Sequence, residues 1–197
     1  MKKMLLLLIL VLNFGCTSDK YQHDADIFRV NHLEYIDGLV EEYKEKTGHY
    51  PFADERVSIP TYVFIATPKQ IEWFKDDMPI EHITVSAEEF KRELETGLQR
   101  RVVIPCDPQK RGDSKPNFYV YMVQGKDYIL AVHLHEGYGF AKEIGEDCYK
   151  VEVSSRVYEP NMIWSPKELF GKKEFKDVKS REIYNPKYFE ADKNELR

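Results

Sequence analysis

Apolar positions first recur with helical spacing at Ile27, Val30, Leu33, Ile36, Val40 and Tyr43, three or four residues apart. That period places them on one face of a helix, with Glu34, Glu41, Glu42, Lys44 and Lys46 largely off the stripe. Asp24 or Asp26 is the expected cap at its start, and Gly48 the expected stop after Thr47. Such a helix needs a flat apolar partner. Alternation at Thr61 to Ala66 predicts a strand, and Arg101 to Ile104 predicts another leading into Pro105-Cys106. The clearest sheet signal is Asn117 to Leu134. Phe118, Val120 and Met122 alternate with Tyr119, Tyr121 and Val123, Gln124-Gly125-Lys126-Asp127 makes a turn, and Tyr128 to Leu134 returns. A further strand is expected over Cys148 to Val153.

Two short helices fall between the first strands. Thr67-Pro68-Lys69-Gln70 supplies a cap, a Pro at the first helical position and a Gln three residues after the cap, so Ile71, Trp73 and Phe74 belong to a helix ending near Met78-Pro79. Ser86-Ala87-Glu88-Glu89 repeats the pattern and opens a helix through Phe90 and Leu94, which Gly97 is expected to stop. Ser165-Pro166-Lys167-Glu168 looks like a third helix start. Beyond it, Gly171 to Arg197 is highly charged and poorly periodic, an irregular tail that wraps the domain or stays mobile.

The segment before the long helix reads as an address. Lys2 and Lys3 precede an apolar run from Met4 to Leu12, which ends in Asn13-Phe14-Gly15-Cys16 and turns polar at Thr17-Ser18-Asp19-Lys20. A bilayer span needs about twenty apolar residues and this run has roughly half that, so a cleaved signal is the better reading than a permanent span. Gly15-Cys16 immediately after the run is where a lipobox belongs. Cys16 then becomes an acylated first residue anchored in a lipid bilayer. No Asp follows Cys16 to favour inner-membrane retention, so a Gram-negative host would carry the protein on its outer membrane, facing the periplasm. The expected organisation is a signal at 1–15, a lipidated linker at 16–23, one α+β domain at 24–158 and a charged extension at 159–197.

Composition narrows the partners. Removing Lys2 and Lys3 takes the formal charge from −5 to −7, which gives no electrostatic reason to expect nucleic acid. Thirteen Tyr and eleven Phe, many in alternating runs, favour sheet. With Cys16 assigned to lipid, Cys106 and Cys148 remain as a pair in an oxidising compartment, and a disulfide between them is expected. By chain entropy a loop of that length is worth about 4 kcal/mol. No close Cys-x-x-Cys pair points instead to zinc.

Tyr43-Lys44-Glu45-Lys46-Thr47-Gly48-His49-Tyr50-Pro51 ends the long helix and leads toward the sheet. This order resembles the soluble part of type IV pilin-like proteins, above all the pseudopilins of type II secretion systems. Tyr43, Thr47, Gly48, Tyr50 and Pro51 match that family's Thr-Gly-x-Tyr-Pro joint. Cys106-Asp107-Pro108, Tyr119, Tyr121 and Gly125-Lys126-Asp127-Tyr128-Ile129-Leu130 are similar to its Asp-Pro turn and Tyr-rich hairpin. The resemblance implies a long N-terminal amphipathic helix packed on an antiparallel β-sheet, and an interaction or accessory role in a pilus or secretion apparatus. The chain departs from the family at its start, where a short apolar run without Glu and a lipobox replace the long filament-forming helix. A tethered head is then easier to defend than a polymerising subunit.

Candidate chemistry is sparse. His133 and His135 in a strand point to one face, and two imidazoles at that spacing bind a metal if a third ligand arrives from elsewhere; otherwise they are two exposed strand histidines. No His-Glu-x-x-His helix, Gly-x-Ser-x-Gly elbow or phosphate-binding Gly-rich loop is present. No cofactor is expected. Gly137, Tyr138, Gly139 and Phe140 form a candidate binding loop, because flanking glycines expose an aromatic side chain, or else a turn whose aromatics finish the core. The function expected is non-enzymatic interaction with an envelope protein. The competing reading is a periplasmic small-ligand binder or metal-dependent enzyme using the His133 and His135 face.

Overall fold

The computed structural model describes residues 2–65, 81–105, 119–135, 142–145, 148–155, 165 and 168–169, with side chains described from residue 25 onward and not over 142–149. Helix α1 (Lys2–Thr47) precedes strand β1 (Thr61–Ile65), strand β2 (Ile83–Ser86) and helix α2 (Ala87–Leu98). Strands β3 (Tyr119–Gln124), β4 (Asp127–Leu134), β5 (Lys142–Gly145) and β6 (Cys148–Ser154) follow. The strands form one sheet in the order β2-β1-β3-β4-β6-β5. The class is α+β.

Alternation along the hairpin decides which face is covered. Tyr119, Tyr121 and Val123 on β3 and Tyr128, Leu130, Val132 and Leu134 on β4 are buried, and their neighbours in sequence are only half-buried or exposed. Register carries the inward row across four strands: Val63 pairs with Tyr121, Tyr121 with Leu130, and Leu130 with Val153. Helix α1 packs over β4 and α2 over β1 and β2, and the two helices touch each other. Val30, Leu33, Ile36, Leu39, Val40 and Tyr43 enter the core from α1. Phe90, Leu94 and Leu98 enter from α2.

Both helix ends that the sequence marks are built from local hydrogen bonds. The Gly48 N–H donates to Lys44 O at 2.8 Å from a left-handed φ of 86°, which closes α1 after Thr47. At the start of α2, Glu89 N–H donates to Ser86 Oγ at 3.2 Å while Ser86 N–H donates to Glu89 Oε2 at 3.0 Å. Ser86→Ala is expected to lower the unfolding free energy by about 1 kcal/mol, read from the shift of a urea midpoint. The same reciprocal bonds join Ser165 and Glu168, and Leu169 beyond them is fully buried.

Four expectations need correction. The sheet is mixed, because β1 and β2 run parallel. Helix α1 runs unbroken through the expected linker, so Asp26 is a buried interior residue and not a cap. Gly97 lies inside α2, and the left-handed residue that ends the helix is Gln99, with φ 54°. Arg101 to Ile104 joins no ladder: Val102 is buried, and its N–H donates to Glu95 Oε1 of α2 at 3.1 Å. Beyond these, the sheet carries a strand the pattern does not predict, β5, which pairs outside β6. The helix expected after Thr67, the Cys106 to Pro108 turn and the tail from Gly171 lie outside the described residues.

Candidate functional site

Helix α1 carries acidic and basic groups on the stripe it buries. Asp26, Arg29, His32 and Asp37 all lie under 10% exposed, interleaved with Val30, Leu33, Ile36 and Val40. Buried charge is costly unless it is paired and hydrogen-bonded, so each group calls for an accounting. Arg29 Nη1 donates to Asp26 Oδ1 at 2.6 Å, one turn earlier. The other side of that carboxylate faces the end of β4, where the His135 N–H reaches both oxygens at 2.9 and 3.0 Å. His32 Nδ1 is 2.7 Å from Tyr119 Oη and its ring meets that tyrosine edge-on. These contacts tie the buried stripe of α1 to β3 and β4.

A second cluster sits at the other end of the same seam. Tyr128 Oη donates to Asp37 Oδ1 at 2.5 Å and lies 3.0 Å from Glu41 Oε1, so one hydroxyl proton serves two carboxylates a helical turn apart. Tyr50 Oη donates to Glu41 at 3.1 Å and accepts from Lys44 Nζ at 2.8 Å. Burial raises the Asp37 carboxyl to about 6, and the neighbouring Glu41 and Glu34 charges push the same way against the Tyr128 hydrogen bond. Burial and the two carboxylates hold the Tyr128 hydroxyl far above the ordinary phenol range.

The joint after α1 is pinned by the same tyrosines. Tyr121 Oη donates to Pro51 O at 3.0 Å, the Tyr50 and Tyr128 rings meet edge-on at 4.6 Å, and Tyr43 Oη donates to Glu93 of α2. Phe52 follows with φ 58°, a left-handed conformation unusual for an aromatic residue. It overhangs a cleft of about 260 Å³ floored by Val57, Ile59, Ile83, Val85 and Val123. Of the polar side chains that line this opening, Asp54 holds Arg56 at 2.8 Å and Gln124 Nε2 donates to Ser58 O at 2.6 Å. The rest of its lining is mainly apolar, so the cleft offers apolar contact.

His133 lies on β4, half-buried rather than exposed, opposite Lys150, which pairs with Glu152 at 2.6 Å. His135 falls one residue past the strand and is also half-buried. Among the described residues, no group of three His, Cys, Asp or Glu converges as a metal site would require. Gly137, Tyr138, Gly139, Phe140 and Cys106 lie outside the described residues. Cys148 opens β6 and Cys16 falls within α1, but their side chains lie outside the description too, so the disulfide has no geometry here. Among the described residues, no helix is long and apolar enough to cross a membrane.

Sequence reasoning takes Asp26 only as a cap and misses Arg29 and Asp37. The signal was available in the spacing: Asp26 is four residues before Val30, and Asp37 is four after Leu33 and three before Val40. No family model matches this chain, and neither does any curated protein or solved structure.

Proposed function

We propose that the protein is a lipid-anchored component of the bacterial cell envelope, whose α+β head makes non-enzymatic contacts with another envelope protein. The observation that carries the reading is Gly15-Cys16 directly after the apolar run from Met4 to Leu12, with basic Lys2 and Lys3 before it. Acyl chains on Cys16 are the anchor, and α1 is the rod between that anchor and the sheet. From Cys16 to Thr47 a continuous helix would span roughly 48 Å.

The pilin-like reading of the head rests on the joint from Tyr43 to Pro51. Its support is physical: Gly48 ends the helix, Pro51 is buried under the Tyr121 hydrogen bond, and Tyr50 lays its ring against Tyr128. An accessory or docking role in a pilus or secretion apparatus follows from that likeness together with the tether. The apolar cleft under Phe52, with Ile83 of β2 40% exposed beside it, favours contact with a partner over chemistry on a substrate.

Cys16→Ser is expected to release the protein from the membrane fraction and abolish acyl labelling. Retention on the membrane with no acyl label would overturn the anchor. Crosslinking of the full chain in cells, with the Cys16→Ser form as control, is expected to recover pilus or secretion components from the anchored form alone. Absence of any repeatable partner would overturn the interaction role.

A further inference from the structure

Asp37 is unusual in what it lacks as much as in what it touches. Asp37 is 6% exposed, and its hydrogen-bond donor is a phenol that also faces Glu41. Lys44, the next basic residue along the helix, spends its ammonium on Tyr50, with Nζ 2.8 Å from the hydroxyl and 4.3 Å from the ring centroid. Two carboxylates thus approach one phenolic hydroxyl across the seam between α1 and β4; Glu41 also accepts from Tyr50, whereas burial penalises the charge on Asp37.

We propose that Asp37, Glu41 and Tyr128 form a proton-loaded latch, which takes one proton onto Asp37 in mildly acidic medium and then holds α1 more tightly to β4. With Asp37 neutral, its hydroxyl becomes a second donor in the cluster. Asp37 then no longer needs the Tyr128 proton to offset a buried charge, and the repulsion from Glu41 and Glu34 disappears. The groups facing the site are Glu34 and Glu41 from α1, Tyr128 from β4, and Tyr50 from the segment after the helix, backed by Lys44. Tyr121 on β3 stays protonated throughout, because burial raises its hydroxyl well above the usual phenol range.

The sign follows from the direction of the shift. The carboxyl stands at about 6 in the fold against 3.8 for an ordinary Asp. The folded chain therefore binds the proton more readily, and stability gained from it is complete below about pH 4 and is lost as the pH rises through 6. This is the reverse of the usual acid sensitivity of a salt-bridged carboxylate. For the envelope it means a head that stiffens, rather than loosens, when the surroundings turn mildly acidic.

The test is hydrogen exchange of the full chain in detergent micelles at pH 5 and pH 7.5, corrected for intrinsic rates. The opening constant of amides between Leu33 and Tyr43 is expected to fall about tenfold at the lower pH in the wild type, and to show no such change in Asp37→Asn. An equal response in the two forms would overturn the latch. If Asp37→Asn fails to fold, the protonated-carboxyl infrared band of the wild type and of Glu41→Gln decides. A band titrating near pH 6 that moves down in Glu41→Gln supports the latch, and carboxyls that all titrate in the ordinary range overturn it.

Discussion

Replacing Arg29 by methionine is expected to destabilise the fold by about 3–5 kcal/mol, read as a lowered urea midpoint at unchanged slope. Arg29 is fully buried, and its guanidinium meets Asp26 at 2.6 Å on the preceding turn. Methionine fills most of the same volume, so the loss is electrostatic: Asp26 keeps its His135 N–H contacts but loses the buried Arg29 cation at 2.6 Å. A pair taken out of water is weak evidence of stabilisation in itself, yet removing one member leaves an uncompensated charge. The second half of the experiment separates these ideas. Asp26→Asn with Arg29→Met removes both charges while the amide oxygen introduced by the first change still accepts from the His135 N–H, and the double variant is expected to recover most of the single loss. A double variant as unstable as Arg29→Met alone would mean that packing, not charge, makes Arg29 necessary.

That pair also shows where the sequence was legible and where it was not. The stripe from Val30 to Tyr43 and the alternation from Tyr119 to Leu134 each repeat over several turns or pairs, so the periodic signal outlasts single exceptions. The capping box at Ser86 needs only four residues because its chemistry is reciprocal hydrogen bonding. By contrast, Ile83-Thr84-Val85-Ser86 is too short to show a period and abuts a helix cap, so its pairing beside β1 comes from tertiary context. Arg101 to Ile104 has strand-like residues but finds its partners in side chains, Glu95 from α2 and the Tyr35 hydroxyl against the backbone at Val103. Charges on an amphipathic helix are assigned to solvent by default, and that habit hid Arg29 and Asp37, while Asp26 fits a cap by residue type. The polar cluster that matters most to the proton latch was therefore spelled out in spacing but not in residue type.

Gly97→Val is expected to cost about 3 kcal/mol, although helix propensity alone argues for a small gain. Gly97 is the penultimate residue of α2, where glycine is ordinarily poorer than any residue but proline. A Cβ there would fall inside the van der Waals surface of the Tyr43 ring, against Cε2, Cδ2 and Cζ. The ring is 3% exposed, packed in the core and anchored by its hydroxyl on Glu93 of α2, so it has nowhere to retreat without giving up both burial and hydrogen bond. Burying an aromatic side chain contributes about 2–3 kcal/mol and the hydrogen bond about 1 more, which together exceed the few tenths that valine regains over glycine in a helix. Thr96→Ala is the control one residue earlier, on an exposed position whose hydroxyl only bonds back to Arg92 O. It adds propensity without touching Tyr43, and is expected to leave stability equal or slightly raised. If Gly97→Val matched Thr96→Ala in unfolding midpoint, the close approach of α1 and α2 through Tyr43 would not be what selects glycine at this position.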